Sequence, residues 1–66
     1  MNRDELRAEI AKKNITRKEI ADALGISNTG LSLKMSGRHQ FKEGEIRILV
    51  SILGLTPDDV NRIFLA

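Results

Sequence analysis

The sequence predicts an all-α fold: a compact domain of five short helices around one core. Three observations carry this prediction. No stretch alternates apolar and polar residues as a half-buried strand would. Apolar residues instead recur at three- and four-residue spacings, as in Ile46, Leu49, Val50 and Leu53. Each such segment also has a capping residue in front of it and a glycine or polar stop behind it.

The first helix starts at Asn2, whose spacing to Glu5 suits a capping box in which side chain and carboxylate satisfy each other's amides. Leu6 and Ile10 lie one turn apart on its inner face, and it ends near Asn14. Thr16 opens the second helix with Glu19 as its box partner; Ile20, Ala21 and Leu24 form the stripe and Gly25 is the stop. Ser27 caps the third helix, which reaches about Ser36 and closes at Gly37. Gly30 inside it costs roughly 1 kcal/mol relative to Ala, so packing must hold this helix.

Residues 38–42 are a loop, and the fourth helix runs from about Lys42 to Leu53. Ile48 and Ile52 add a second apolar side to it, so it is expected to be central or half-covered by a partner. Gly54 stops it. Thr56-Pro57-Asp58-Asp59 then has a cap, a proline at the first helical position and acids at the positive dipole end. The last helix turns Val60, Ile63 and Phe64 inward and frays at Leu65 and Ala66.

The length, 66 residues, allows one domain spanning 1–66 and one modest core, built from 27 apolar residues of which 16 are Ile or Leu. Without Cys and with a single His, no disulfide or closed zinc site is expected, and no cofactor. No apolar run reaches the ~20 residues of a membrane span, and no signal-peptide pattern opens the chain. The expectation is a soluble protein of the cytoplasm. The net charge of +2 is uninformative, but residues 12–42 carry seven basic and two acidic residues while the flanks carry four and seven. One surface suited to a polyanion is expected from that segregation.

The informative stretch is Arg17 to Met35, where two helices meet across a turn of Gly25, Ile26 and Ser27. The turn is too tight for antiparallel packing and suits a steep crossing, with small Ala21 at the closest approach and Ile20, Leu24, Ile26 and Leu31 sealing the corner. This is the arrangement of a helix-turn-helix, whose second helix can enter a major groove.

At this point the chain resembles the phage Cro and repressor type of helix-turn-helix domain, the lambda-repressor-like family. The resemblance rests on T-x-K-E-I-A-x-x-L-G-I-S from Thr16 to Ser27, L-S at Leu31–Ser32 and S-G-R at Ser36–Arg38. E-I-x-x-L at Glu45–Leu49 and L-G-L-T-P-D-D-V at Leu53–Val60 extend it over about residues 3–64. It implies a sequence-specific double-stranded DNA-binding transcription regulator, a phage or prophage repressor that binds operator half-sites as a homodimer in the bacterial host's cytoplasm. It implies no small-molecule substrate. The chain departs from the pattern at Arg17, where relatives carry Gln. It departs again at Ile10 and Met35, where many relatives pair an Arg with a Glu. Lys34 stands where many bury an aliphatic residue, so its stem is expected to cover the core while its charge reaches out.

At 100° per residue, Asn28, Thr29, Ser32, Leu33 and Ser36 share one arc of the third helix, opposite Leu31 and Met35. The predicted base-reading residues are therefore Asn28, Thr29, Ser32 and Leu33: Asn28 for a bidentate contact to adenine, Leu33 for thymine methyls. The bland alternatives are that Asn28 and Thr29 only begin a helix and that Leu33 packs against another protein. Phosphate contacts are assigned to Arg17 and Lys18 at a helix N-terminus, to Ser36, and to Arg38, Gln40 and Lys42 of the loop. The resemblance implies that this loop grips the strand largely through backbone amides. His39 reads as a loop residue.

No nucleophile–base pair, carboxylate pair or metal cluster is present in the sequence, so an enzyme is not expected. The candidate dimer surface is Ile52, Leu55, Phe64 and Leu65, with completion of the core as the alternative use of these residues. Two rival readings stand beside the repressor. One is a protein-interaction module, antirepressor- or antitoxin-like, that kept the fold. The other is the isolated DNA-binding domain of a longer repressor.

Overall fold

The computed structural model describes residues 1–65 and is all-α: α1 (Arg3–Lys12), α2 (Arg17–Leu24), α3 (Asn28–Met35), α4 (Glu43–Leu53) and α5 (Pro57–Val60). The fifth helix widens into one π-helical stretch, Asn61–Leu65. The expected fraying at Leu65 is instead this stretch, and Ala66 lies outside the described residues. No helix among the described residues is long and apolar enough to cross a membrane.

Capping explains the boundaries. Thr16, Ser27 and Thr56 each accept a hydrogen bond on the side-chain oxygen from the amide three residues on, at 3.0–3.1 Å. At α5 the box is reciprocal, since the Thr56 amide donates to Asp59 Oδ2 at 2.9 Å. At α1 only half of the expected box forms. Asn2 Oδ1 accepts from the Glu5 amide, but the Asn2 amide donates to the Ile63 carbonyl at 2.6 Å and Glu5 turns toward Arg62. A partner on a distant element has displaced the local one.

The core unites Leu6 and Ile10 of α1, Ile20 and Ala21 of α2, and Leu31 and Met35 of α3 with Leu49, Leu53, Leu55 and Ile63. Leu31 and Met35 answer the question raised by Gly30. Two fully buried side chains contribute about 1.5–3 kcal/mol each, which exceeds the roughly 1 kcal/mol cost of the glycine. A methyl group at Gly30 would also stand 3.3 Å from Ser27 Oγ, the atom that caps the helix. Ile10 and Met35 are both in the core, as the apolar replacement of a polar pair requires.

One side of the core is closed by charge. Arg62 binds Glu5, Glu9 and Asp59, joining the start of α1 to the end of the chain. Glu9 is only 6% exposed, and its Oε2 has no hydrogen-bond partner among the described residues. This network was missed at the sequence level, because Arg62 lies more than 50 residues from Glu5 and Glu9.

Candidate nucleic-acid interface

The α2–α3 corner is set by backbone geometry. Gly25 has φ +69°, a left-handed conformation that costs an L-residue roughly 1–2 kcal/mol, and its amide donates to the Asp22 carbonyl. The Ile26 amide then donates to Ala21 O at 3.0 Å, and Ser27 begins the next helix. Ala21 is 2% exposed beneath this turn, while Leu24 and Ile26 pack half-buried against the core. α3 is thus fixed at its start by a cap and along its inner side by Leu31 and Met35.

The outer side of α3 presents Asn28, Thr29 and Ser32, all exposed. Leu33 differs from its expected exposure: it is half-buried, and so is Ser36. The physical reason is the loop, which folds back onto this end of the helix. The Leu33 carbonyl accepts from Ser36 Oγ at 2.9 Å, from the Arg38 amide at 3.1 Å and from the His39 amide at 3.2 Å. Ser36 has therefore already spent its only hydroxyl proton, so its phosphate assignment loses its donor.

The same accounting revises the loop. The amides of Gly37, Arg38, His39 and Lys42 are all bonded within the protein. Those of Gln40 and Phe41 have no hydrogen-bond partner among the described residues. The Arg38, Gln40 and Lys42 side chains are exposed, as are Arg17 and Lys18 at the start of α2. Lys18 lies 3.3 Å from Asp22, but both side chains are more than two-thirds exposed, and such a pair contributes little and exchanges readily.

Lys34 corrects its expectation. Its charge does not reach out: Nζ lies 2.8 Å from Glu45 Oε1 and 3.2 Å from the Gln40 carbonyl, with 12% of the side chain exposed. It also sits 5.9 Å from the centre of the Phe41 ring, within cation–π range. Glu45 accepts a second bond from the Lys42 amide at 2.8 Å. Burial pushes the Glu45 carboxyl up, but the hydrogen bonds from Lys34 and the Lys42 amide, with both lysine charges, outweigh it and hold the group below its ordinary value. A half-buried ion pair therefore ties α3, the loop and α4 together.

Of the four dimer candidates, Leu55 is excluded by burial, since it is 7% exposed and belongs to the core. Ile52 and Phe64 are half-buried against that core, and Phe64 meets Phe41 edge-to-face at 6.1 Å. Leu65 remains open, at 73% exposure, on the rim of a shallow apolar cleft that also holds Phe41, Ile46 and Phe64.

Residues 2–66 match a family model described as a protein of unknown function (DUF739). The chain belongs to the DUF739 family. Searches of curated proteins and of solved structures found no match. Membership leaves the chemistry of the exposed side of α3 and its flanking cations as the guide to function.

Proposed function

We propose that this DUF739 protein is a sequence-specific double-stranded DNA-binding regulator, with α2 and α3 acting as a helix-turn-helix and α3 as the recognition helix. One observation carries the reading. α3 exposes Asn28, Thr29 and Ser32 on the side opposite its buried Leu31 and Met35, with exposed Arg17, Lys18, Arg38 and Lys42 on the elements either side of it. Short uncharged hydrogen-bonding side chains suit base edges, and flanking cations suit phosphates. Asn28 pairs with adenine, Thr29 and Ser32 add adaptable contacts, and Leu33 contributes only the part of its surface left open. Arg17, Arg38 and Lys42 hold the backbone, together with the amides of Gln40 and Phe41.

One helix of this length reads only a few base pairs, so two copies are needed on half-sites about 34 Å apart. With extents of 28 × 23 × 20 Å, two copies fit side by side on half-sites at that spacing. Phe64, Leu65 and the open edge of Ile52 are the surface proposed for that meeting. Such a regulator acts in the cytoplasm with the nucleoid, as a repressor where its site overlaps a promoter.

A second reading, a protein-interaction module that kept the fold, is favoured by the exposed Leu65 and by the absence of charge among the reading residues. Gel shift against the DNA flanking the protein's own gene separates the two. A shifted duplex, weakened as salt rises, supports the first reading; no shift at low salt refutes it. On the duplex so found, Asn28→Ala should weaken the specific site by about 1–3 kcal/mol and leave a scrambled duplex unchanged. Arg17→Ala should weaken both alike, and equal behaviour of the two variants would overturn the assignment.

A further inference from the structure

A second cationic feature centres on Arg3, which has no part in the contacts proposed for α2, α3 and the loop. Arg3, in the first turn of α1, crosses to the far end of α3, where its Nη1 donates to the Ser36 carbonyl at 2.8 Å. Its Cδ lies over Gly37, 3.7 Å from where a side chain there would begin. Between the start of α1 and the loop is a cleft lined by Met1, Arg3, Ser36, Gly37, His39 and Gln40, with no carboxylate in its wall. Arg3 itself is exposed, and one guanidinium nitrogen accounts for its only hydrogen bond among the described residues. Four of its five N–H groups remain for another acceptor.

We infer that this cleft is a phosphodiester site, in which Arg3 holds one backbone phosphate of the duplex that α3 reads. The inference rests on the DNA-binding reading and extends its contacts to an element that reading did not use. Three features converge on an anion. Arg3 is anchored by the Ser36 carbonyl, so its planar fork is oriented in advance and less freedom is lost on binding. Gln40 lines the same cleft, and its amide has no partner among the described residues. The cleft also adjoins the loop and the last turn of α3, so a strand held by Arg38 and Lys42 continues toward it. The bridging geometry suits arginine: one edge of the guanidinium serves the carbonyl and the rest faces the phosphate, while a lysine there supplies the charge without the planar fork.

The test is the salt dependence of duplex binding for the full chain, wild type against Arg3→Met and Arg3→Lys. Loss of one phosphate contact lowers the slope of log K against log salt by about 0.9. Arg3→Met should show that decrease together with an affinity loss on the order of tenfold at low salt, alike on specific and scrambled duplexes. Arg3→Lys should keep the slope. Should Arg3→Met lose its helical circular dichroism, Arg3→Gln, polar and neutral, gives the same readout. An affinity loss with the slope unchanged means that Arg3 only braces the loop, and it overturns the site while leaving the DNA-binding reading intact. A wild-type chain that shifts no duplex overturns both together.

Discussion

Lys34→Met probes how α3 is held at its far end. The methionine keeps the apolar stem but removes the two hydrogen bonds from Nζ, at 2.8 Å to Glu45 and 3.2 Å to the Gln40 carbonyl. Glu45, with 13% of its side chain exposed, is left with the Lys42 amide alone. A hydrogen bond to a charged group contributes about 1.5–3 kcal/mol, and residual exposure of both partners places the loss near the lower half, about 2 kcal/mol. For a domain of this size that lowers Tm by about 8–16 °C, read by thermal melts at neutral pH. The loss should be specific to the pair. In a cycle with Glu45→Leu, the double variant should cost about 1–2 kcal/mol less than the sum of the singles, because the apolar pair leaves no orphaned charge. The pH dependence has a definite sign. Glu45 titrates below its ordinary value of 4.5 in the folded state, so the stability it contributes is fully present above that value and is lost as pH falls through the lower folded one. The gap between wild type and Lys34→Met should therefore narrow with acid. Singles that add to within about 0.3–0.5 kcal/mol would refute the coupling and show the two charges to be independent.

Three further outcomes are expected. The Thr56 amide, and then the Arg62 side chain, lower the Asp59 carboxyl from 3.8 to about 2. Its stabilising effect is full above 3.8 and disappears toward about 2, so Asp59→Asn should lower Tm at neutral pH and flatten the acid limb of a Tm-against-pH curve over that window; a limb as steep as the wild type's would refute the assignment. Arg62→Met strands the buried Glu9 and should lower Tm by several degrees, while Glu9→Leu added to it should recover part of the loss; no recovery would show that burial of Glu9 is not the cause. Leu65→Glu, on the open rim of the apolar cleft, should leave Tm within a few degrees of wild type and weaken duplex binding cooperativity in a titration; unchanged cooperativity would remove this face from dimer formation.

The helices were legible because their signals are local. Thr16, Ser27, Thr56 and Pro57 mark helix starts, and Gly25 and Gly54 mark stops, through hydrogen bonds and torsion angles that span three or four residues. The inner side of α3 was legible for the same reason: Leu31 and Met35 are one turn apart and both enter the core. What escaped was every feature made by two distant segments. Neither Arg3 on Ser36, 33 residues away, nor Arg62 on Glu5, 57 away, leaves a periodic trace. Lys34 was misread because spacing gives its direction and not its partner. The wheel placed it beside the core, but only the fold brings Glu45 there, 11 residues on and from another helix. Leu33 and Ser36 were read as open because a helical wheel does not contain the loop that folds back on the Leu33 carbonyl.

Internal pairing also sharpens the meaning of the charge. Among the described residues Lys12, Lys18, Lys34, Arg47 and Arg62 form ion pairs within the protein, with Glu5, Glu9, Asp22, Glu43, Glu45 and Asp59 as their acidic partners. The cations with no acidic partner among the described residues are then Arg3, Arg7, Lys13, Arg17, Arg38 and Lys42, against Asp4, Glu19 and Asp58 among the acids. Lys34, which a count by segment assigns to the basic surface, is structural, whereas Arg3, which that count assigns to an acidic flank, is carried to the end of α3. The set of cations left without an internal partner is thus defined by folding and not by position in the chain. Under the DNA-binding reading, Arg17 grips from one side of α3 while Arg38, Lys42 and Arg3 grip from the other, and the uncharged Asn28, Thr29 and Ser32 lie between them. A duplex seated there is held by charge on both sides and read by the side chains between, which is the division of labour that sequence selectivity requires.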